Sequence, residues 1–180
     1  MELKLKPIHA ESIVAALAKA EVYRNHNEPE EAESICHDIL VIQPDNQAAL
    51  RLIGLAITDQ FTGGISDRHV EVETFFRQLS DAYEQLYCLG LLYERRAKAQ
   101  MRAGRSAHTL VPLFEDAMRH FAEAEKVHPP ANDESILRWN RCVRLLQSLP
   151  GVEQFDELHF DAGDSPPLST GAAPRRARAG

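Results

Sequence analysis

Apolar positions recur at steps of three and four along most of the chain, as at Ile13, Ala16, Leu17, Ala20 and Tyr23. This spacing paints one apolar stripe on a helix of 3.6 residues per turn, where a half-buried strand would alternate. The longest alternation is Val70-Glu71-Val72. It sits inside a run, Val72, Phe75, Phe76 and Leu79, whose spacing is helical. Residues 10–148 are rich in Ala, Leu, Glu, Arg and Gln, side chains that lose little rotamer freedom in a helix. The pattern predicts an all-α protein.

Breakers cut this region into pieces of helix length. Asn25-His-Asn-Glu-Pro29 ends one helix and opens the next, with Pro29 suited to a first turn. Pro44 in Gln43-Pro-Asp-Asn46 stops a helix, and Asp45 or Asn46 is placed to cap the following one. Further breaks fall at Gly63-Gly64, Ala103-Gly-Arg-Ser106, His128-Pro-Pro-Ala-Asn132 and Leu149-Pro-Gly151. Asn132 or Asp133 is placed to cap the last helix. Three regions follow: a lead-in over residues 1–9, a helical domain over 10–149 and a tail over 150–180. The tail has few large apolar side chains, so it cannot offset its ordering entropy and is expected to be disordered.

The breaks lie about half a repeat apart, which gives helix pairs with a period in the mid-thirties. In the first unit, residues 13–46, Ala20, Tyr23, Ala32 and Pro44 stand at regular intervals, with Asn27 at the turn and Cys36 and Ile39 on the second helix. The second unit has Leu50, Ile53, Gly54 and Ile57, then Gly63-Gly64 and a second helix over about 67–79. The third has Leu86, Leu89, Gly90 and Tyr93, then Ala117, Phe121, Ala124 and Pro129. These positions resemble the tetratricopeptide repeat (TPR) family, as found in bacterial-type TPR-containing proteins. Its pattern is Leu-Gly-x-x-Tyr on helix A, Ala-x-x-x-Phe-x-x-Ala on helix B, then Pro. The helix B of the second unit departs from it, and roughly 15 extra residues lengthen the third unit.

The resemblance implies an α-solenoid of about three antiparallel helix pairs plus a C-terminal capping helix, 133–148, with Ile136, Trp139 and Val143 inward. Ala20, Gly54 and Gly90 would let helix B approach helix A, and Tyr23, Tyr93 and Phe121 would fill the space between units. Each pair alone cannot bury its apolar face, so stacking is obligatory.

Net charge is −7, from 27 acidic and 20 basic residues. An acidic chain is a poor polyanion binder, so nucleic acid is not expected as its partner, and Arg175, Arg176 and Arg178 read as a solvated end. No apolar run is long enough to span a membrane, and the start lacks a signal-peptide core. Three scattered cysteines, Cys36, Cys88 and Cys142, read as reduced thiols in a cytoplasm.

Candidate chemistry is sparse. Glu33 with His37, and Asp116 with His120, are one helical turn apart. Glu125 and His128 have the Glu-x-x-His spacing of di-iron bundles, but a second such pair is missing and His128 is placed to cap helix-end carbonyls. Gly63-Gly64 lacks the Lys of a phosphate loop. No metal, cofactor or catalytic residue is expected. An enzyme reading would rest on His108 in the 97–112 insertion, with no partner group to name.

In the resembled family, partner peptides lie in a concave groove made mainly by A helices. Carried over, that groove takes Leu17, Glu21, Arg24 and Asn25 from the first unit. It takes Arg51, Leu55 and Thr58 from the second, and Tyr87, Leu91, Glu94 and Arg95 from the third. Arg141 and Arg144 come from the last helix. Five arginines there invert the sign of an acidic protein. The expected function is a non-catalytic scaffold or adaptor that binds another protein or peptide, acidic or carboxylate-ended. The chaperone-binding clamp is not expected, since Leu17 and Glu21 stand where it needs Lys and Asn. Two further readings compete. Phe61, Phe75 and Phe76 would form a patch for self-association, and the acidic, aromatic segment 155–160, within the stretch 153–161, would fold back on the groove.

Overall fold

A computed structural model describes residues 3–64 and 67–150, and every regular element within them is helical. A 3-10 turn, Ala10–Ser12, leads into α1 (Ile13–Asn25), α2 (Pro29–Ile42), α3 (Gln47–Asp59) and α4 (His69–Arg77). After these come α5 (Ala82–Arg102), α6 (Ala107–Glu125) and α7 (Glu134–Gln147). The tail, including segment 153–161 and the three terminal arginines, lies outside the described residues.

The ends of these helices have local causes. Asn27 closes α1 in the left-handed region at φ 64°, which asparagine tolerates, and Pro29 opens α2. Asn46 caps α3 by accepting from the Ala49 amide at 3.0 Å, and Asp81 caps α5 by accepting from Glu84 at 2.8 Å. Gly104 ends α5 at φ 75°. At α7, Asn132 accepts from the Glu134 amide at 3.0 Å and from the Tyr83 hydroxyl at 3.2 Å, while Asp133 makes no side-chain cap. The extra residues of the third unit are almost all helix. Residues 97–102 finish α5, 107–112 begin α6, and 103–106 join them.

Each helix packs on the next in sequence, and α3 also touches both α1 and α5. The shared core runs through all seven helices. Arg51 meets Glu84 near the starts of α3 and α5, and Asp59 meets Arg95 farther along both. These two helices therefore run side by side in the same direction. Arg24, near the end of α1, reaches the same Asp59. Among the described residues no helix is long and apolar enough to cross a membrane.

The second helix of each pair buries three residues at one spacing: Ala32, Cys36 and Ile39 on α2, then Val72, Phe76 and Leu79 across α4, then Ala117, Phe121 and Ala124 on α6. The second unit thus keeps the register of the others, with Val72 and Leu79 in the positions of alanine. Opposite these residues the first helices are small. A Cβ on Gly54 would meet the Phe76 ring closer than 3.0 Å, and one on Gly90 would meet Phe121 as closely. Burying a phenylalanine this fully contributes on the order of 1.5–3 kcal/mol.

Two sequence expectations are corrected. Phe61 and Phe76 are core residues and Phe75 is half-buried, so the three do not make an exposed patch. On α7 the buried residues are Ser135, Cys142 and Leu145, while Ile136, Trp139 and Val143 are half-buried. The buried face of α7 thus runs through Ser135, Cys142 and Leu145, with Trp139 packed against the core at its edge.

Candidate functional site

The last turn of α3 supplies Thr58 and Asp59. Thr58 is buried, and its hydroxyl donates to the Leu55 carbonyl at 2.8 Å. From α5, the Arg95 guanidinium donates to the Leu55 carbonyl at 3.1 Å, to Thr58 Oγ1 at 2.7 Å and to Asp59. From α1, Arg24 Nε donates to the other Asp59 oxygen at 2.6 Å. One carboxylate therefore joins arginines from two helices, and Arg95 Nη1 holds α5 to α3. Burial pushes the Arg95 pKa down, with Arg24 and Arg138 acting in the same direction and Asp59 against it. The guanidinium stays charged regardless.

Next to Arg95, the Glu94 side chain is completely buried. Its Oε1 lies 3.4 Å from Lys98 Nζ and its Oε2 lies 3.6 Å from Arg138 Nη1 of α7. Both separations exceed the roughly 2.7–2.9 Å of a tight charge-assisted hydrogen bond. Oε2 accepts no hydrogen bond at all among the described residues. Burial alone would lower the Arg138 pKa, but the Tyr87 hydroxyl and Glu94 raise it overall.

A cleft of about 210 Å³ opens here, lined by Thr58, Asp59, Arg95, Lys98, Arg102 and Arg138. Arg95 is committed to α3. Lys98 and Arg138 are only loosely engaged by Glu94, and Arg102 has no carboxylate partner among the described residues. The arrangement offers several N–H donors and a positive field around a small polar space. Its chemistry is that of anion recognition, with Arg supplying planar forks and Lys a point charge.

The structure gathers some of the residues expected from sequence and scatters others. Arg24, Thr58, Glu94 and Arg95 meet at or beneath this cleft. Leu55, Tyr87 and Leu91 are buried in the core, Leu55 contributing its carbonyl to Arg95. Arg51 is at the opposite end of α3, where it pairs with Glu84 at 2.8 Å. Leu17 is half-buried against Ile13 and Ile39. Glu21, Asn25, Arg141 and Arg144 are exposed and do not line the cleft. Lys98, Arg102 and Arg138 were missed. Their signal was the spacing Arg95, Lys98, Arg102, which continues one face of α5 past the length of an ordinary repeat helix.

The other candidate groups have structural occupations. His37 stands 3.5 Å from Glu33, which also receives two 2.7 Å hydrogen bonds from Arg68. Asp116 pairs with Arg119, and His120 stacks on Tyr93 with 5.4 Å between centroids. A His128 ring nitrogen closes on the Glu125 carbonyl. Burial pushes the thiols of Cys36, Cys88 and Cys142 up to about 12, so they are poor nucleophiles. In comparisons with family models, curated proteins and solved structures, nothing matches this chain.

Proposed function

We propose that the chain is a TPR-like helical array whose A helices bind an acidic segment of another protein, with no catalytic step. The observation that carries this reading is the cationic cleft bordered by α3, α5 and α7, where Lys98, Arg102 and Arg138 keep donors to spare. Three further features support the architecture. Successive helices pack on their neighbours, α3 and α5 run in the same direction, and the two glycine–phenylalanine contacts repeat at equivalent places. Such an array presents a side where A helices stand next to one another, and a partner chain lying there would be recognised by charge and by Arg forks.

The test is binding of acidic and basic peptide pools to the wild type and to Lys98→Ala/Arg102→Ala. The acidic pool should bind more tightly, lose affinity as salt is added, and lose about tenfold in the variant, since a hydrogen bond to a charged group contributes about 1.5–3 kcal/mol. Equal binding of both pools, or an unchanged variant, ends the reading.

A further inference from the structure

The cleft is too highly charged for an ordinary carboxylate to be its best occupant. Four cations, Arg95, Lys98, Arg102 and Arg138, line it, and Arg24 pairs with Asp59 from α1; the carboxylates among them are Asp59 and Glu94, so three positive charges are in excess. A carboxylate would neutralise one of them. A phosphate monoester brings about −1.5 to −2 charges at neutral pH and three strong acceptor oxygens. The cleft offers three cations that are not locked into the protein: Arg102, which has no carboxylate partner among the described residues, and Lys98 and Arg138, held at 3.4 and 3.6 Å from Glu94. Its volume of about 210 Å³ lies below the roughly 300–1,000 Å³ of drug-sized ligand pockets, and suits a phosphoryl group with a short stem.

The buried Glu94 is the second sign of a built site. A fully buried carboxylate whose Oε2 accepts no hydrogen bond is costly in a fold with no further use for it. Here it draws Lys98 and Arg138 to opposite sides of itself from two different helices. It does so loosely enough that both cations retain N–H groups for a ligand. Without it, the two would repel each other and splay into solvent.

We infer that this cleft is a receptor for a phosphate dianion, carried as a monoester on a phosphorylated side chain of the partner or presented as free phosphate. The inference rests on the proposed use of this face for binding and specifies its ligand. Lys98, Arg102 and Arg138 take the three phosphoryl oxygens, Arg95 and Arg24 supply field from behind Asp59, and Glu94 positions Lys98 and Arg138. No histidine lines the cleft. A loss of affinity between neutral pH and pH 5 that a carboxylate ligand does not share therefore belongs to the ligand's own second ionisation, near pH 6.

The experiment follows the arginine side-chain N–H signals of the full-length ¹⁵N-labelled chain. The probes are inorganic phosphate, N-acetyl-phosphoserine amide and N-acetyl-aspartate amide. Phosphate and the phosphoserine amide should shift the Arg102 and Arg138 signals, with the aspartate amide at least tenfold weaker. The affinity of the phosphoserine amide should fall about tenfold from pH 7.5 to pH 5. Arg102→Gln, at an exposed position with no structural pairing, should lose about tenfold, while Arg51→Gln, at the far end of α3, should lose nothing. Binding by inorganic phosphate but not by the phosphoserine amide identifies free phosphate as the occupant. An aspartate amide that binds as tightly as phosphate, a silent phosphate titration, or an unaffected Arg102→Gln overturns the inference. If only acidic peptides bind, the phosphate assignment falls and the scaffold reading stands. If phosphate binds and the peptide pools do not, the scaffold reading falls and the receptor stands.

Discussion

The first helix pair and the two that follow fill the same mould in different ways. In α1 and α2 the positions corresponding to the later contacts are Ala20 and Cys36, two side chains of modest size, both completely buried. In α3 with α4, and in α5 with α6, the contact is a glycine under a phenylalanine ring, Gly54 with Phe76 and Gly90 with Phe121. The later crossings hold the larger filling, all of it on one helix. The comparison teaches that this fold admits a bulky ring on one helix only where the facing residue on the other has no side chain. Close packing explains the pairing, since an interior tolerates neither voids nor overlap.

The largest effect should come from emptying the aromatic side. Phe121→Ala should cost about 3–5 kcal/mol, and Cys36→Ala, its counterpart in the first pair, about 1 kcal/mol. Urea unfolding followed by circular dichroism measures both, and equal losses would abolish the distinction between the pairs. Next in size is Gly54→Ala, whose methyl collides with the Phe76 ring and should cost about 1–3 kcal/mol. Gly54→Ala combined with Phe76→Cys writes the first pair's solution into the second. The double variant should be more stable than the sum of the two single losses predicts, because the residues share one contact. Strict additivity would show that they do not.

Glu33 on α2 ties the first pair to the second, and its removal should have the smallest effect. Arg68, just before α4, donates two 2.7 Å hydrogen bonds to it and Gln60 a third at 2.7 Å. The Arg68 hydrogen bonds, opposed by burial and aided by Gln60, hold Glu33 below its ordinary pKa of 4.5. A lowered folded value means the stabilisation is present above pH 4.5 and fades as pH falls through the folded value. Glu33→Gln should therefore cost about 1 kcal/mol at pH 7, a figure kept low because Arg68 is 40% exposed, and the difference should vanish in acid. A gap between wild type and variant that persists to pH 3 would assign the loss to packing.

Much of the fold was readable in the sequence because breakers and small residues act locally. Asn27, Pro29, Asn46 and Gly104 each end or start a helix by their own backbone or side-chain chemistry, and Gly54 and Gly90 announce a close approach. The phase of α7 was not readable. Ile136 is the more apolar residue, but Ser135 is the one that is buried, and only the neighbouring surface decides between them. For the cleft, the resemblance pointed to Arg24, Thr58, Glu94 and Arg95, carried over from the groove of the resembled family. It could not tell that Arg51 finds Glu84, that Arg24 and Arg95 share Asp59, or that Arg138 rather than Arg141 turns toward α5. Such pairings join residues about 30 to 45 positions apart, and their geometry depends on how the helices are stacked.

The two longest helices are α5 and α6. Asp59, the last residue of α3, sits against Arg95, so residues 96–102 project beyond their neighbour by about 10 Å. Lys98 and Arg102 stand on this ledge. Their identity can change without disturbing the glycine–phenylalanine contacts lower down, so a chain of this design can alter the charge it displays there while its stacked framework keeps the same joints.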